Sequence, residues 1–439
     1  MVNCAKDEEP TPNPETEEKP ISEVEEPQEQ ETEVYFEVTI GDNLSTEIAD
    51  NWLIIHDMDG KLIDYKSFEK NDILRFEKPT DSVPNIFTVT ELYVGTLTGR
   101  APFTFRSYTE IPRGSNWTIG ILNYSPSPYY EPEVTGNFDI IVSGRLLAPS
   151  MQVISNKEGI GTGTGAYRIT TNTNNGDWVY EKPVELFEHN DYYLTLMNGF
   201  GETRYHYLSD VQNGDFYNLT FNEFSRFDSH INLSLPLTSQ IFFSLRSYPE
   251  TPISRTSPGY DFYFIPGLIT GQGVASSFEL GYLGNTFESH SFYLTAILDD
   301  YSYNYDYFGS ELPNDLIVPE RPVLNIANSD IYNFMFSTDI EYKRTINSWT
   351  TAVDLENPDK RKTDWSVFAP SNSSSIIGIL PDEIIGMYPE MNVSSLSYKA
   401  STLFVGPQTY EEYLDLKFSG KDYINSLRTN EYFTFNNQP

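Results

Sequence analysis

The five histidines of this sequence are not spaced like a zinc site. They stand at positions 56, 189, 206, 230 and 290. They form no HExxH pattern, and no two lie four residues apart, the separation at which two histidines on one helix bind zinc. His189 and His290 follow similar Phe-Glu strings, which favours a role in turns. The sequence therefore predicts no zinc centre, and no cofactor is expected.

Three carboxylates in the stretch HDMDGKLID are a weak calcium candidate. Asp57, Asp59 and Asp64 lie close together in this stretch, and calcium binds clustered carboxylate oxygens. An EF-hand loop needs glycine at its sixth position, however, whereas Gly60 is fourth from Asp57. Asp-Gly is also the dipeptide best suited to a tight hairpin. A plain turn is therefore favoured over a metal site.

Local motifs of nucleophilic catalysis are missing from the sequence. There is no GxSxG pattern, and the single cysteine lies in a region without strand or helix signals. Paired carboxylates for glycoside hydrolysis stay possible in a chain with 64 acidic residues, because the fold and not the sequence sets their separation. We therefore assign no catalytic residue and keep a hydrolase as the alternative.

A tyrosine stripe is the strongest candidate for ligand binding. In DDYSYNYDYFG, the residues Tyr301, Tyr303, Tyr305 and Tyr307 alternate with polar residues. On a strand they lie on one face, because side chains alternate with period two. The face either packs on a core or forms an exposed platform for sugar rings or a partner protein, with Asp306 among the hydrogen-bond acceptors. The core alternative is slightly favoured.

Short apolar and aromatic runs separated by turn residues predict an antiparallel all-β fold. The segment from Trp52 to Phe68 reads as a hairpin around Asp59-Gly60. Further strand-like runs are Phe138 to Val142, Tyr192 to Met197, Phe216 to Phe221, Ile241 to Leu245, Tyr260 to Ile265 and Tyr332 to Phe336. Helix is scarce, and the best candidate covers residues 410–416. This spacing is typical of β-sandwiches rather than of βαβ units.

Weak internal repeats predict about three tandem β-sandwich domains of the immunoglobulin or transthyretin-like kind. FEKNDILRF at 68, FEHNDYYLTL at 187 and FESHSFYLTA at 287 share a start and a following strand. Two further pairs of strings, at 105 and 245 and at 213 and 328, keep their order along the chain. Pro-rich and Gly-rich stretches at 124–134 and 265–277 suggest boundaries. The predicted domains are 34–134, 135–270 and 271–439.

Composition excludes several classes of partner and site. The net charge is −36 and the sequence pI is about 4.3, which repels nucleic-acid phosphates and anionic lipids. One cysteine excludes an intrachain disulfide and a Cys-based metal cluster. No run approaches the roughly 18 apolar residues of a membrane-spanning helix. Nucleic acid is therefore not expected as a partner.

The N-terminal segment differs in composition from the rest. From residue 5 to residue 33 there are twelve Asp or Glu against two Lys, with five prolines and no aromatic residue. Such a segment cannot bury enough apolar area to offset its backbone entropy. We therefore predict that residues 1–33 form a disordered, extended acidic tether.

The start of the tether resembles the lipidation signal of surface-exposed lipoproteins of the Bacteroidota. Met1 stands three residues before Cys4, and Lys6, Asp7, Glu8 and Glu9 are similar to the Lys-plus-acid export signal that follows the lipidated cysteine in that group. The resemblance implies a precursor with a signal peptide, lipidation at Cys4, and a place on the cell surface at the outer membrane. The alternative is an ordinary free cysteine in a cytosolic N-terminus.

Two functions agree with these patterns. The first is a non-catalytic surface lipoprotein that binds a glycan or a protein partner, either alone or as an accessory subunit of an outer-membrane assembly. The second is a surface glycoside hydrolase or another carboxylate-based hydrolase. Because every local catalytic motif is missing, the sequence favours the first.

Overall fold

The protein is an all-β structure whose sheets are open. The computed structural model describes residues 32–44, 48–95, 102–122, 133–144, 151–155, 168–171, 178–188, 190–198, 200–236, 240–249, 259–269, 276–352, 361–373, 376–421 and 428–436. These residues form mostly strands, with two short α-helices and several 3-10 turns. None of the helices in these ranges has the length and apolarity needed to cross a membrane.

The first segment forms two facing sheets. Its strands are β1 (Thr32–Ile40), β2 (Ile48–His56), β3 (Leu62–Ser67), β4 (Ile73–Pro79), β5 (Ile86–Gly95), β6 (Phe103–Pro112) and β7 (Ser115–Ile119). One sheet has the order β4-β1-β7, in which β1 is antiparallel to β4 and parallel to β7. The other has the order β3-β2-β5-β6. Apolar side chains from both sheets form a single core.

The second segment repeats this strand order with one difference. Its strands are β8 (Val134–Gly144), β9 (Met151–Ser155), β10 (Arg168–Thr171), β11 (Trp178–Phe187), β12 (Tyr192–Met197), β13 (Thr203–Leu208) and β14 (Phe216–Thr220). The sheet β11-β8-β14 matches β4-β1-β7, and β9-β12-β13 matches β2-β5-β6. The third strand, β10, pairs with β11 instead of extending the facing sheet.

The third segment has the strand order of the first. Its strands are β15 (Ser229–Ser234), β16 (Gln240–Tyr248), β17 (Tyr260–Ile269), β18 (Ser277–Tyr282), β19 (Ser289–Leu298), β20 (Tyr301–Gly309) and β21 (Asp315–Ile317). They pair as β18-β15-β21 and β17-β16-β19-β20. Strands β17 and β18 contribute to the same core, although the sequence places a domain boundary between them, at residue 270.

The C-terminal segment joins the first and third segments. Its elements are β22 (Leu324–Asn328), β23 (Met335–Thr338), β24 (Arg344–Thr350), β25 (Thr363–Pro370), α1 (Asp382–Met387), β26 (Ser397–Phe404), α2 (Tyr410–Lys417) and β27 (Arg428–Asn436). Strand β25 pairs in parallel with β6, and β27 pairs antiparallel with β20. A twelve-stranded sheet results, in the order β17-β16-β19-β20-β27-β26-β24-β25-β6-β5-β2-β3.

This joint covers one open sheet edge of the first segment and one of the third. An unpaired edge strand presents free N–H and C=O groups, which favour aggregation. Strands β6 and β20 lie at such edges of their own sheets, and β25 and β27 pair with them. Along β25, side chains alternate strictly between buried and half-buried positions. The C-terminal segment therefore completes the sheet and also forms its own core against the outer face of β2, β5 and β6.

Several local predictions are confirmed. The hairpin of β2 and β3 turns at Gly60, which has a φ of 80°. Helix α2 covers the predicted residues and begins with a capping box, in which Thr409 accepts a hydrogen bond from the Glu412 amide. The Phe418 ring at the end of α2 stacks on Trp117 at a centroid distance of 3.8 Å. Helix α2 thereby covers the end of the first core.

Other local predictions need correction. Thr32 and Glu33, which the sequence assigns to the tether, belong to β1 and pair with Pro79 and Lys78. The predicted linker at 265–277 begins inside β17. The predicted strand 332–336 is split, because the Asp330 carboxylate accepts the Tyr332 amide and starts a 3-10 turn before β23. Strong local capping therefore prevails over the alternating pattern there.

The repeated strings only partly occupy equivalent places. The strings at 187 and 287 both lie at the turn before the fifth strand of their segments, β12 and β19. The string at 68 instead precedes the fourth strand, β4, and the strings at 105 and 245 lie in a sixth and a second strand. The segments therefore share the order in which their strands pair. Most of the matching sequence strings do not occupy equivalent positions and reflect a similar composition of strands and turns.

Candidate functional site

A groove in the C-terminal segment consists of two adjacent concavities lined by described residues. Its inner chamber has a volume of about 340 Å³ and its outer chamber about 420 Å³. Phe336 and Tyr342 line both chambers and form the junction between them. These volumes lie in the range of small-molecule sites. We call the two chambers together the aromatic groove.

The floor of the inner chamber is built by two neighbouring strands. Thr345, Asn347 and Trp349 alternate along β24, so they point to the same face, and Val367 and Ala369 do so on β25. The Trp349 indole donates a hydrogen bond to the Ser329 carbonyl at 2.8 Å. The floor therefore carries both apolar and hydrogen-bonding groups.

Half-buried aromatic rings form the wall opposite the floor. The capped turn at Asp330 places Tyr332, Phe334 and Phe336 along the groove. The Phe334 ring meets Trp349 edge-on at 5.0 Å, and Phe336 lies 6.0 Å from Tyr342. Such contacts fix the rings while part of each stays accessible. The alternation of Tyr332, Phe334 and Phe336 is visible in the sequence and was the signal that could have located this wall.

A buried histidine holds a third wall, formed by residues 376–380. His56 is 1% exposed, and its Nε2 lies 3.0 Å from the Ile379 carbonyl. Gly378 packs so closely on the imidazole that an added Cβ would lie 2.1 Å from its Cδ2. Burial lowers the pKa of His56, with the Ile379 carbonyl and Asp57 acting in the opposite direction. A neutral His56 therefore positions the loop whose Ile376 and Ile377 line the groove.

The described lining of the inner chamber carries no formal charge. Of the described residues that line it, none is Asp, Glu, Lys or Arg. The outer chamber adds Glu341 and Lys343, whose side chains form an exposed ion pair at 3.0 Å. Hydrolysis of a glycosidic bond needs two carboxyl groups that flank the bond. The described lining of both chambers offers a single carboxylate, that of Glu341.

The hypothesis that the tyrosine stripe is an exposed platform is wrong, because the stripe packs in a core. Tyr301, Tyr303 and Tyr305 are 6%, 0% and 7% exposed and belong to the third core. The Tyr303 hydroxyl donates to Glu431 at 2.9 Å, and burial raises the pKa of Tyr305 to about 12. Tyr307 is half-buried against the same core. The stripe faces the core because β20 is the sixth strand of the third segment and not a free surface strand.

The acidic residues of the other candidates take part in turns and strands. The Asp57 carboxylate accepts the amides of Asp59 and Lys61 at 3.0 and 2.8 Å, and Asp64 accepts the Tyr65 amide. Within the described ranges, no group of three or more His, Cys, Asp or Glu side chains is placed to hold a metal ion. Asp306 is half-buried on the face of β20 opposite the tyrosines. The geometry at Asp57 thus agrees with the plain hairpin turn.

The first segment contains a buried glutamate that no pattern in the sequence predicts. Glu91 on β5 is 1% exposed and lies opposite Arg106 on β6. Burial raises the pKa of Glu91, while the charges of Lys417 and Arg106 act in the opposite direction. Glu91 lines neither chamber of the groove. It is enclosed in the first core, out of reach of a substrate, so we assign it to the packing of α2.

The lipidation and export residues Cys4, Lys6, Asp7, Glu8 and Glu9 lie outside the described residues. No protein-family model matches the chain, and no curated protein is significantly similar to it. The aromatic groove is therefore the feature from which a function can be argued.

Proposed function

We propose that the protein is a non-catalytic lipoprotein of the outer-membrane surface that binds a glycan through the aromatic groove. A single observation carries the glycan-binding part of the proposal: the described lining of the inner chamber combines aromatic rings with neutral amide and hydroxyl groups and contains no charged side chain. Aromatic rings stack on the apolar faces of sugars, and neutral polar groups hydrogen-bond to sugar hydroxyls. This combination of an apolar lining with a few placed polar groups is typical of specific ligand sites.

The alternative, a surface hydrolase, has less support at this groove. Glu341 is the only acidic side chain among the described lining residues, and it is exposed and paired with Lys343. A general acid needs a raised pKa and a second carboxylate at a defined separation. A protein partner from a membrane complex is a further candidate occupant of the same surface, and nucleic acid is disfavoured by the net charge of −36.

The architecture proposed for this function is three β-sandwich domains and a joining unit. The first and third seven-stranded segments share their pairing order, the second differs only at β10, and each segment has a core between two facing sheets. This pairing agrees with the transthyretin-like expectation. The resulting division is 32–119, 134–220, 229–317 and a C-terminal unit at 324–436, in place of the boundaries expected from the sequence. The tether and the lipid at Cys4 would hold these domains at the membrane.

Affinity electrophoresis tests glycan binding and catalysis together. Native gels that contain neutral or acidic polysaccharides, among them glucomannan, xyloglucan, alginate and pectin, should retard the protein in at least one case. The same incubation should release no new reducing ends. Phe336→Ala should abolish the retardation. Phe200→Ala is the matched control, because Phe200 is 75% exposed in the second segment and far along the chain from the groove, and this variant should migrate as the wild type.

The outcomes separate the alternatives. Release of reducing ends by the wild type would show a hydrolase. Unretarded migration in every gel, or equal retardation of the Phe336→Ala variant, would refute glycan binding at the groove.

The anchor is tested separately. The full precursor and its Cys4→Ala variant are expressed in a Bacteroidota host with labelled fatty acid. Label and membrane partitioning should disappear in the variant, because the thiol is the acylation site. A variant that keeps both would contradict the lipoprotein assignment without bearing on the groove.

A further inference from the structure

We infer that the groove selects an uncharged, linear glycan of more than two sugars, which lies across both chambers. The inference rests on the proposed function and names its ligand class. It follows from the charges around the groove and from the adjacency of the two chambers.

Charge complementarity excludes acidic and basic sugars from the inner chamber. Its described lining contains hydrogen-bonding side chains such as Thr345, Asn347 and Ser373, but neither a cation nor an anion. A uronate, sulfate or ammonium group there would be desolvated without a partner, which is strongly unfavourable. A neutral sugar hydroxyl needs only a neutral hydrogen-bond partner, which side chains of this kind can provide.

The rim of the groove adds repulsion against acidic chains. Asp330, Asp339 and Glu341 are exposed beside the groove, and Lys343 is already paired with Glu341. The net charge of −36 extends this negative field around the protein. An acidic polysaccharide therefore meets like charge before it reaches the aromatic rings, whereas a neutral one does not.

The floor argues for a sugar chain rather than an apolar peptide. An amphipathic peptide would bury its apolar side chains on an apolar floor, yet Thr345 and Asn347 place polar groups at the centre of this one, both buried. Sugar rings present an apolar face to Phe336 and Tyr342 and hydroxyls to the floor. The occupant that satisfies both surfaces is a glycan.

The adjacency of the two chambers sets the length. Phe336 and Tyr342 line both chambers, so a ligand that extends past these two rings would fill one chamber after the other. Asn333 lines only the inner chamber and Asn372 only the outer one. Substitution of Asn333 therefore tests binding in the inner chamber, and substitution of Asn372 tests binding in the outer chamber.

Calorimetric titration with pairs of hexasaccharides tests the charge rule. The probes are α- and β-linked hexamers of glucose, mannose and galactose, each beside the hexamer of its uronic acid, at about 0.15 M ionic strength. We expect at least one neutral hexamer to bind and its uronate counterpart to bind at least roughly tenfold more weakly. Tyr342→Ala should lose roughly tenfold or more in affinity for the neutral hexamer, and Phe200→Ala should lose none.

Two variants test the span across the chambers. Asn333→Ala should weaken the disaccharide and the hexasaccharide alike. Asn372→Gly should weaken only the hexasaccharide; glycine is chosen because Asn372 has a φ of 61°, which glycine adopts without strain. Equal effects of Asn372→Gly on both lengths would overturn the two-chamber geometry. Circular dichroism and thermal unfolding confirm that each variant is folded.

The remaining results are decisive as well. A uronate hexamer that binds as tightly as its neutral counterpart, in a Tyr342-dependent manner, would overturn the charge rule and leave glycan binding intact. If no neutral hexamer binds, the inference is wrong, and retardation by acidic polysaccharides alone would still uphold the proposed function. Tyr342-dependent binding of an apolar peptide, with no glycan bound, would refute both.

Discussion

Truncation of Tyr303 should strongly destabilise the third core. The ring is fully buried on β20, lies 5.4 Å from the Phe433 ring, and its hydroxyl donates to Glu431. An aromatic side chain buries roughly 150–250 Å², which at about 25 cal/mol/Å² corresponds to roughly 4–6 kcal/mol. This figure is an upper bound, because unfolded chains already bury part of their surface. We therefore expect Tyr303→Ala to cost about 3–5 kcal/mol, as other buried aromatic truncations do.

The neighbouring strand supplies a matched control. Tyr293 lies on β19, on the opposite face of the sheet, and is 43% exposed. Tyr293→Ala should change the free energy of unfolding by less than about 1 kcal/mol. Tyr303→Phe keeps the ring and removes only the hydroxyl bond to Glu431, so it should cost roughly 1.5–3 kcal/mol.

Denaturant unfolding combined with hydrogen exchange measures these effects. The described residues form four separate core clusters, so a single global transition is not assumed. Hydrogen exchange of the β19 and β20 amides localises the change to the third segment. A Tyr303→Ala variant that loses less than about 1 kcal/mol, or no more than Tyr293→Ala, would refute the core position of the stripe and restore the platform interpretation.

Three further predictions concern other parts of the chain. Gly378→Ala should lower the free energy of unfolding by roughly 1–3 kcal/mol, because the added Cβ would clash with His56. Gly386→Ala is the control: Gly386 lies in α1, its added Cβ would have nothing within 4 Å, and the change should raise the free energy of unfolding by roughly 0.5–1 kcal/mol. Denaturant midpoints of the two variants measure both effects. Burial lowers the pKa of His290 to about 4 from 6.5. The unfolded chain therefore takes up that proton first, so stability should fall as the pH falls from 6.5 to 4, and His290→Gln should flatten this slope. Deleting residues 5–31 should move the melting temperature by no more than roughly a degree or two, because their composition predicts few buried contacts; a large loss would show that the segment docks on the domains.

The sequence correctly predicted several features that depend on only a few neighbouring residues. The Asp59-Gly60 turn needs a positive φ at glycine, which Gly60 shows. The capping box at Thr409 and Glu412 set the start of α2. Alternation along β20 placed Tyr301, Tyr303 and Tyr305 on one face. Each of these features depends on a few neighbouring residues, so a single sequence is enough to locate it.

The aromatic groove could be predicted only in part. Tyr332, Phe334 and Phe336 alternate in the sequence, but the cap at Asp330 changed the run from a strand into a turn followed by a strand. The buried position of Trp349 follows from its hydrogen bond to Ser329 and its edge-on contact with the Phe334 ring. No local pattern links these residues to the loop at Ile376, which is held by a histidine more than 300 residues earlier.

The sequence by itself determined the all-β class, the hairpin at Gly60 and the helix at Tyr410, because turn and capping preferences act over a few residues. Tertiary structure alone decided which face of each strand is buried and which segments share a sheet. The parallel pairing of β25 with β6 joins residues 363–368 to residues 103–108. The amino-acid sequence of neither strand identifies the strand with which it pairs. Backbone hydrogen bonds are the same for every sequence, so partner choice depends on the packing of all the cores together. The groove exists because that packing brings β24, the turn at Asp330 and the loop over His56 to one place.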